Sequence, residues 1–160
     1  MIKIEDILPG VYEHGLNTAR DVDFSESGSV AFPADGSTTG QVFTATLQGQ
    51  TTEAATDRVF FVATQACKVI AISEVHSVAA GGTSTLQVTK DTSTNAPGAG
   101  SDLLATPFNL NATANTVQSG SLVTTAATLT LAAGDRLAID FANAIQSTAG
   151  LCVTVTLVTV

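Results

Sequence analysis

The chain reads as an all-β protein: an antiparallel β-sandwich, jelly-roll-like, with an N-terminal arm. Three observations predict this. Apolar residues alternate with Thr along the last stretch, Leu151-Cys-Val-Thr-Val-Thr-Leu-Val-Thr-Val160, the period of a half-buried strand. About eight such runs recur at spacings near ten residues, separated by Gly-, Ser-, Thr- and Asn-rich turns, which suits a sandwich or jelly roll. Hydrophobic residues make up 44% and charged ones only 12%, about half the usual charged share. That balance leaves Thr, Ala and Ser to clothe the surface.

The leading residues differ from the rest, and the reading divides the chain into 1–40, an arm, and 41–160, the sandwich. Within 1–40, Ile4, Ile7, Leu8 and Val11 sit at helical spacing, but Pro9-Gly10 interrupts them and breaks a helix. A short turn or extended arm is expected there, whose apolar anchors Ile2, Ile4, Ile7, Leu8, Val11 and Tyr12 contact partner subunits. The competing reading has the same residues capping the domain's own core. Ser29–Phe32 is a candidate short strand.

From Gln41 onward the candidate strands are 41–47, 57–64, 67–78, 83–90, 102–109, 121–131, 135–141 and 151–160. Thr128–Leu131, the turn Ala132-Ala-Gly-Asp135 and the alternating Leu137, Ile139 and Phe141 read as a hairpin. Leu137 and Ile139 are placed in the core, and Asp135 is read as bonding the amides of its own turn. Residues 111–118 fit a short helical turn.

Net charge is −8, with seven acids against Lys3 and Arg20 in residues 1–40 and −3 over the remainder. Nucleic-acid binding needs Lys and Arg for the phosphates, so that class is excluded. Nothing resembles a signal peptide or a membrane-spanning run, so no membrane partner is expected. Cys67 and Cys152 are read as buried free thiols made in a reducing cytoplasm, although pairing between them stays open.

Catalytic wording is sparse. His14 and His76 are the only histidines, and neither lies in a nucleophile or metal pattern. The zinc-protease, paired Cys-x-x-Cys and Gly-x-Ser-x-Gly motifs are missing; Gly82-Thr-Ser-Thr-Leu86 fails at its last position. His76 is read as a partly exposed structural residue. Pro97-Gly-Ala-Gly100 resembles half a phosphate-cradling loop but lacks the Gly-Lys-Thr and helix that would complete it. Asp91, Asn95 and Asp102 could offer oxygens to calcium, yet their spacing fits no EF-hand, and they are read as solvated. No catalytic residue, metal or cofactor is assigned.

The run Leu86–Leu104, with Asp91-Thr-Ser-Thr-Asn-Ala-Pro-Gly-Ala-Gly100 at its centre, followed by Phe108–Val117 and Leu129–Phe141, resembles small virion proteins of tailed bacteriophages. That class, best represented in phages of aquatic hosts, includes head decoration (cement) proteins. The resemblance spans roughly residues 58–160 and rests on loop and turn wording. It implies a jelly-roll-like domain that trimerises on the capsid exterior, with the major capsid protein and copies of itself as partners. The chain is then a non-enzymatic structural protein, made in the host bacterial cytoplasm and carried in the virion. Two alternatives stand beside it: a head-fibre or tail-associated phage protein, and a β-sandwich carbohydrate-binding module. Sugar platforms need exposed aromatic rings, and the chain has no Trp and one Tyr.

Overall fold

The computed structural model describes residues 21–22, 30–31, 40–50, 56–143 and 148–160. The chain divides into two compact units, Met1–Thr39 and Gly40–Val160. In the first unit, β1 (Asp21–Val22) pairs antiparallel with β2 (Val30–Ala31), within the candidate strand at 29–32. The arm anchors Ile2, Ile4, Ile7, Leu8, Val11 and Tyr12 lie outside the described residues.

The second unit is a sandwich of two antiparallel sheets. Its elements are β3 (Val42–Gln50), β4 (Arg58–Val62), β5 (Cys67–Val75), β6 (Thr85–Asp91), β7 (Ser101–Asp102), β8 (Phe108–Asn109), β9 (Gln118–Ser119), α1 (Ala126–Leu129), β10 (Thr130–Leu131), β11 (Arg136–Ala142) and β12 (Leu151–Thr159). One sheet, here the β12 sheet, runs β10-β5-β12-β3, with β9 beside the far end of β5. The other, the β11 sheet, runs β4-β11-β6-β7, with β8 beside the far end of β6. Each sheet therefore has four strand positions, and the fourth is shared by two short strands.

This order is a jelly roll: the sandwich is one long antiparallel hairpin, wound up. Val42 pairs with Val158, Arg58 with Ile139, Lys68 with Thr130, and Thr85 with Asn109. Each step inward from one end is matched by a step inward from the other. The tip of the hairpin is the 92–100 loop between β6 and β7. Successive pairs fall alternately into the two sheets, so the last strand, β12, is inserted between β3 and β5.

Side-chain alternation fixes which face of each strand is buried. On β12, Leu151, Val153, Val155, Leu157 and Thr159 point inward, while Cys152, Thr154, Thr156 and Val158 are half-buried outside. From the opposite sheet Leu86, Val88, Leu137 and Ile139 meet them, all fully buried. Leu103, Leu104, Phe108 and Leu110 close one side of the same core, and Phe43, Phe60, Phe61 and Phe141 pack against it.

Three expectations are corrected. Thr128–Leu131 and 135–141 do not form a hairpin: Thr130 and Leu131 pair with Lys68 and Cys67, whereas β11 pairs with β4 and β6 in the other sheet. The turn crosses between sheets, with Gly134 at positive φ and its ends tied to Ala63 (Gly134 N to Ala63 O, 2.8 Å; Ala63 N to Asp135 O, 2.8 Å). The candidate strand 102–109 is split into β7 and β8. Pro107 cannot donate to a ladder, and the Gln87 side chain fills the gap, accepting from Leu104 N at 3.1 Å and donating to Leu104 O at 3.0 Å. The helical turn lies at Ala126–Leu129 and not in 111–118, within a stretch read as strand; it is closed by bonds from Thr128 N and Leu129 N to Thr125 O and from Thr130 Oγ1 to Ala126 O.

Ile139 has no accessible surface and faces Val88 across β6. Ile139→Asp buries an unpaired carboxylate and should cost roughly 4 kcal/mol or more. Chemical denaturation checks this; an unchanged midpoint would show that the inward phase of β11 is wrong.

Candidate functional site

The two sheets present very different outer faces, and the difference follows from where the chain spends its polar side chains. On the β11 sheet, Gln87, Thr89 and Asp91 point outward from β6, yet all three are buried, at 5%, 0% and 0% exposure. The 92–100 loop folds back over Asp91, and Leu104 takes both ends of the Gln87 amide. Asp91 accepts from Thr89 Oγ1 at 3.0 Å and from Gly98 N at 3.1 Å. The Arg136 guanidinium donates to the carbonyls of Ser93 and Asn95, at 3.2 and 2.9 Å. Gly98, at φ +79°, lies so close to Asp140 and Asp57 that an added Cβ would come within 3.1 and 3.3 Å of their Cβ atoms. The loop thus covers much of this face, although Val62, paired with Arg136, stays 51% exposed.

The β12 sheet is left open. Cross-strand register sets its outward residues in rows: Gln48–Cys152–Val75, then Thr46–Thr154–Ser73–Ser119, then Thr44–Thr156–Ala71, then Val42–Val158–Lys68–Thr130. All are exposed or half-buried. Lys68 is the only Asp, Glu, Lys or Arg in these rows, because the one acid on these strands, Glu74, points inward and is 1% exposed. Val42, Ile70 and Val160, exposed by 63%, 45% and 54%, gather at the Lys68 end. The rim is β3, whose outer edge pairs with no described strand. Its nine residues contain neither Pro nor charge, the usual devices that protect an edge.

At that same end a cleft of about 280 Å³ opens between the edges of the two sheets. Val42, Phe43, Phe61 and Cys67 supply its apolar walls, and Gln41, Thr64, Gln65 and Thr159 its polar ones. Phe43 and Phe61 lie 6.0 Å apart and tilted. Burial, followed by the nearby Asp135 carboxylate, pushes the Cys67 thiol up from its ordinary range, so it stays protonated at neutral pH.

The residues singled out from sequence are distributed as follows. His76 is fully buried, contrary to the expectation of partial exposure. Its Nδ1 lies 2.7 Å from Glu74 Oε1, and its Nε2 lies 3.1 Å from Ala112 O. Gln118 donates to Glu74 Oε2 at 2.6 Å and to Asn109 O at 2.9 Å. Every polar end of this pair is occupied, and neither residue reaches solvent. Its role is to fasten the 109–118 segment to β5. Asp91 is not solvated, and its carboxylate takes the Gly98 amide that a phosphate would need. Asp135 does bond its own turn, accepting from Ala132 N at 2.9 Å. Among the described residues no three His, Cys, Asp or Glu are placed to hold a metal. Cys67 and Cys152 are both free, but Cys152 is half-buried on the open face and not in the core. No described helix is long and apolar enough to cross a membrane.

Sequence reasoning missed the open face itself and the Glu74–His76 pair. The first had a signal: Thr44-Ala-Thr46 and Thr154-Val-Thr156 carry the same alternation and face each other across the ladder. The second had only the two-residue spacing of Glu74 and His76, since the partners that enclose the pair, Ala112 and Gln118, lie more than thirty residues away in sequence.

No protein-family model matches the chain, and neither does the sequence of any curated protein. Among solved structures it is similar to a chain of the cyanophage Pam1 capsid asymmetric unit, with TM-score 0.44 and 15% identity over 87% of this chain and 99% of that one. It is also similar to a chain of infectious bursal disease virus, Gx strain, with TM-score 0.39 and 10% identity over 86% of this chain and 36% of that one. At these identities the likeness is one of fold.

Two stability experiments follow from this geometry. Glu74→Ala leaves the His76 ring and the Gln118 amide without their buried partner and should cost about 3–5 kcal/mol in denaturant unfolding; a loss below about 1 kcal/mol would show that the pair is not a fastener. Asp140 is held above the ordinary carboxylate range by burial first, then by repulsion from Asp57, Asp102 and Asp91. An acid raised in the folded state opposes folding while ionised, and this opposition vanishes below the unfolded value of about 3.9. Asp140→Asn should therefore raise the melting temperature at pH 7 and leave it unchanged near pH 3. An equal effect at both pH values would contradict the charge argument.

Proposed function

We propose that this chain is a non-enzymatic virion structural protein: a capsid decoration, or cement, protein that binds the outer surface of a phage head and stabilises it as a homotrimer. Its partners are the major capsid protein and its own copies, and it is made in the host bacterial cytoplasm. One observation carries the reading, the contrast between the β11 face, much of it covered by the 92–100 loop, and the β12 face, which is open among the described residues and carries a single lysine. A sheet face this poor in charge, bordered by an unguarded edge, is a solubility hazard unless another protein covers it. Two free thiols suit synthesis in a reducing compartment.

The carbohydrate-module alternative loses ground on the aromatic side chains. Phe43, Phe60, Phe61, Phe108 and Phe141 all pack into or against the core, leaving no flat ring among the described residues as a sugar platform.

The leading segment supplies the second half of the reading. Residues 1–40 act as an arm whose Ile2, Ile4, Ile7, Leu8, Val11 and Tyr12 anchor on a neighbouring subunit. Each fully buried Ile or Leu contributes roughly 1.5–3 kcal/mol, more than an exposed ion pair gives.

Purified protein added to heads lacking it should appear in cryo-electron microscopy as extra density with threefold symmetry on the outer shell. Deleting residues 1–12 should leave the sandwich folded and lower the occupancy. Heads that take up no protein, or full occupancy by the truncated form, would refute the binding and the arm respectively.

A further inference from the structure

We infer that the open face of the β12 sheet, together with its β3 rim, is the contact between copies of this chain; the inference rests on the homotrimer reading above. Charge is the first argument. Each copy carries −8, so copies repel wherever acids meet. The ionisable side chains described in the sandwich lie almost entirely on or beside the β11 sheet: Asp57, Arg58, Lys90, Asp91, Asp102, Asp135, Arg136 and Asp140. The β12 face offers Lys68 and no outward acid, so it is the surface on which two like copies meet without like-charge cost.

Area decides how much of the molecule must take part. Four strand positions at about 4.8 Å and eight paired residues at about 3.3 Å give a projected face near 500 Å². A standard interface needs about 800 Å² from each partner. The face alone falls short, and the β3 rim with Val42 and Val160 must join it. Threefold closure requires a heterologous contact, in which different patches of the two copies meet. The face of one copy therefore meets the rim of the next. The Thr and Ser hydroxyls of the second row are both donors and acceptors, which suits the backbone amides and carbonyls of the β3 edge that pair with no described strand. Short side chains such as Thr, Ser, Ala and Val also give up little rotamer freedom when covered.

Cys152 lies inside this contact and Cys67 inside the core, so one protein carries both reporter and control. In the full-length chain, light scattering should show a trimer that persists in 1 M NaCl, where screening falls to about 3 Å. In that trimer Cys152 should react with a small aromatic disulfide reagent about tenfold more slowly than in a dissociated variant, with Cys67 unreactive in both. Thr156→Arg, at the centre of the face, should give a folded monomer whose melting temperature, unlike that of the wild-type trimer, does not change with protein concentration. Thr44→Lys, one strand away in the same row, is the second variant should the first fail to fold. A folded Thr156→Arg trimer, or a wild-type trimer with freely reactive Cys152, overturns the contact while the trimer stands. A wild-type monomer overturns the trimer and the contact together.

Discussion

The structure depends on one pairing: β12, the end of the sequence, is inserted between β3 and β5. Its eight-residue ladder with β3, from Val158↔Val42 to Leu151↔Gln50, joins the first and last strands of the sandwich. Loop-closure entropy for such a pairing grows only slowly with length, but nothing rewards it until the strands between are in place. The inward set Leu151, Val153, Val155 and Leu157 then faces Leu137, Ile139, Leu86 and Val88, and that apolar stack makes the closure worthwhile. The split fourth strands, α1 and the crossing turn at Ala132–Asp135 lie outside that stack.

The same winding separates the two outer faces chemically. The hairpin tip, residues 92–100, must end on one sheet, and it ends on the β11 sheet, where Asp91 and Arg136 hold it down. Two of the buried polar side chains there are held by hydrogen bonds: Asp91 by Thr89 and Gly98, Gln87 by Leu104 and Val88. Among the described residues, the β12 sheet receives no such cover. Its outward positions are filled with Thr, Ser, Ala and Val, residues that suit a pleated surface without adding charge. Among the described residues, one outer face is therefore largely covered and the other is open, with Lys68 its one charged side chain.

Much of this was legible in the sequence, and the rest was hidden for identifiable reasons. Period-two alternation located β3 to β6, β11 and β12 and placed Leu137 and Ile139 inward, because alternation reports faces directly. It does not report partners. Leu129 and Leu131 alternate as well as Leu137 and Ile139, yet Leu131 pairs with Cys67 while Leu137 pairs with Lys90 and Phe61. Choosing between a hairpin and a sheet-crossing turn required the bonds from Gly134 and Asp135 to Ala63, seventy residues back. His76 was misplaced for a similar reason: a histidine near a Gly-Gly turn reads as exposed until Gln118 and Ala112 return to enclose it. The open face was written in Thr44, Thr46, Thr154 and Thr156, but only the β3–β12 register shows that they share one surface.

The central claim is that the β12 sheet is held together from within and left uncovered at β3. Amide hydrogen exchange followed by NMR tests it most directly. In dilute protein, the account predicts slowest exchange along β5, β12, β6 and β11. Along β3, amides facing β12 should be protected and those facing outward should exchange rapidly, becoming protected only as concentration rises. Outward β3 amides that are already protected at the lowest concentration, or β12 amides that exchange as fast as those of β9 and β10, would contradict it.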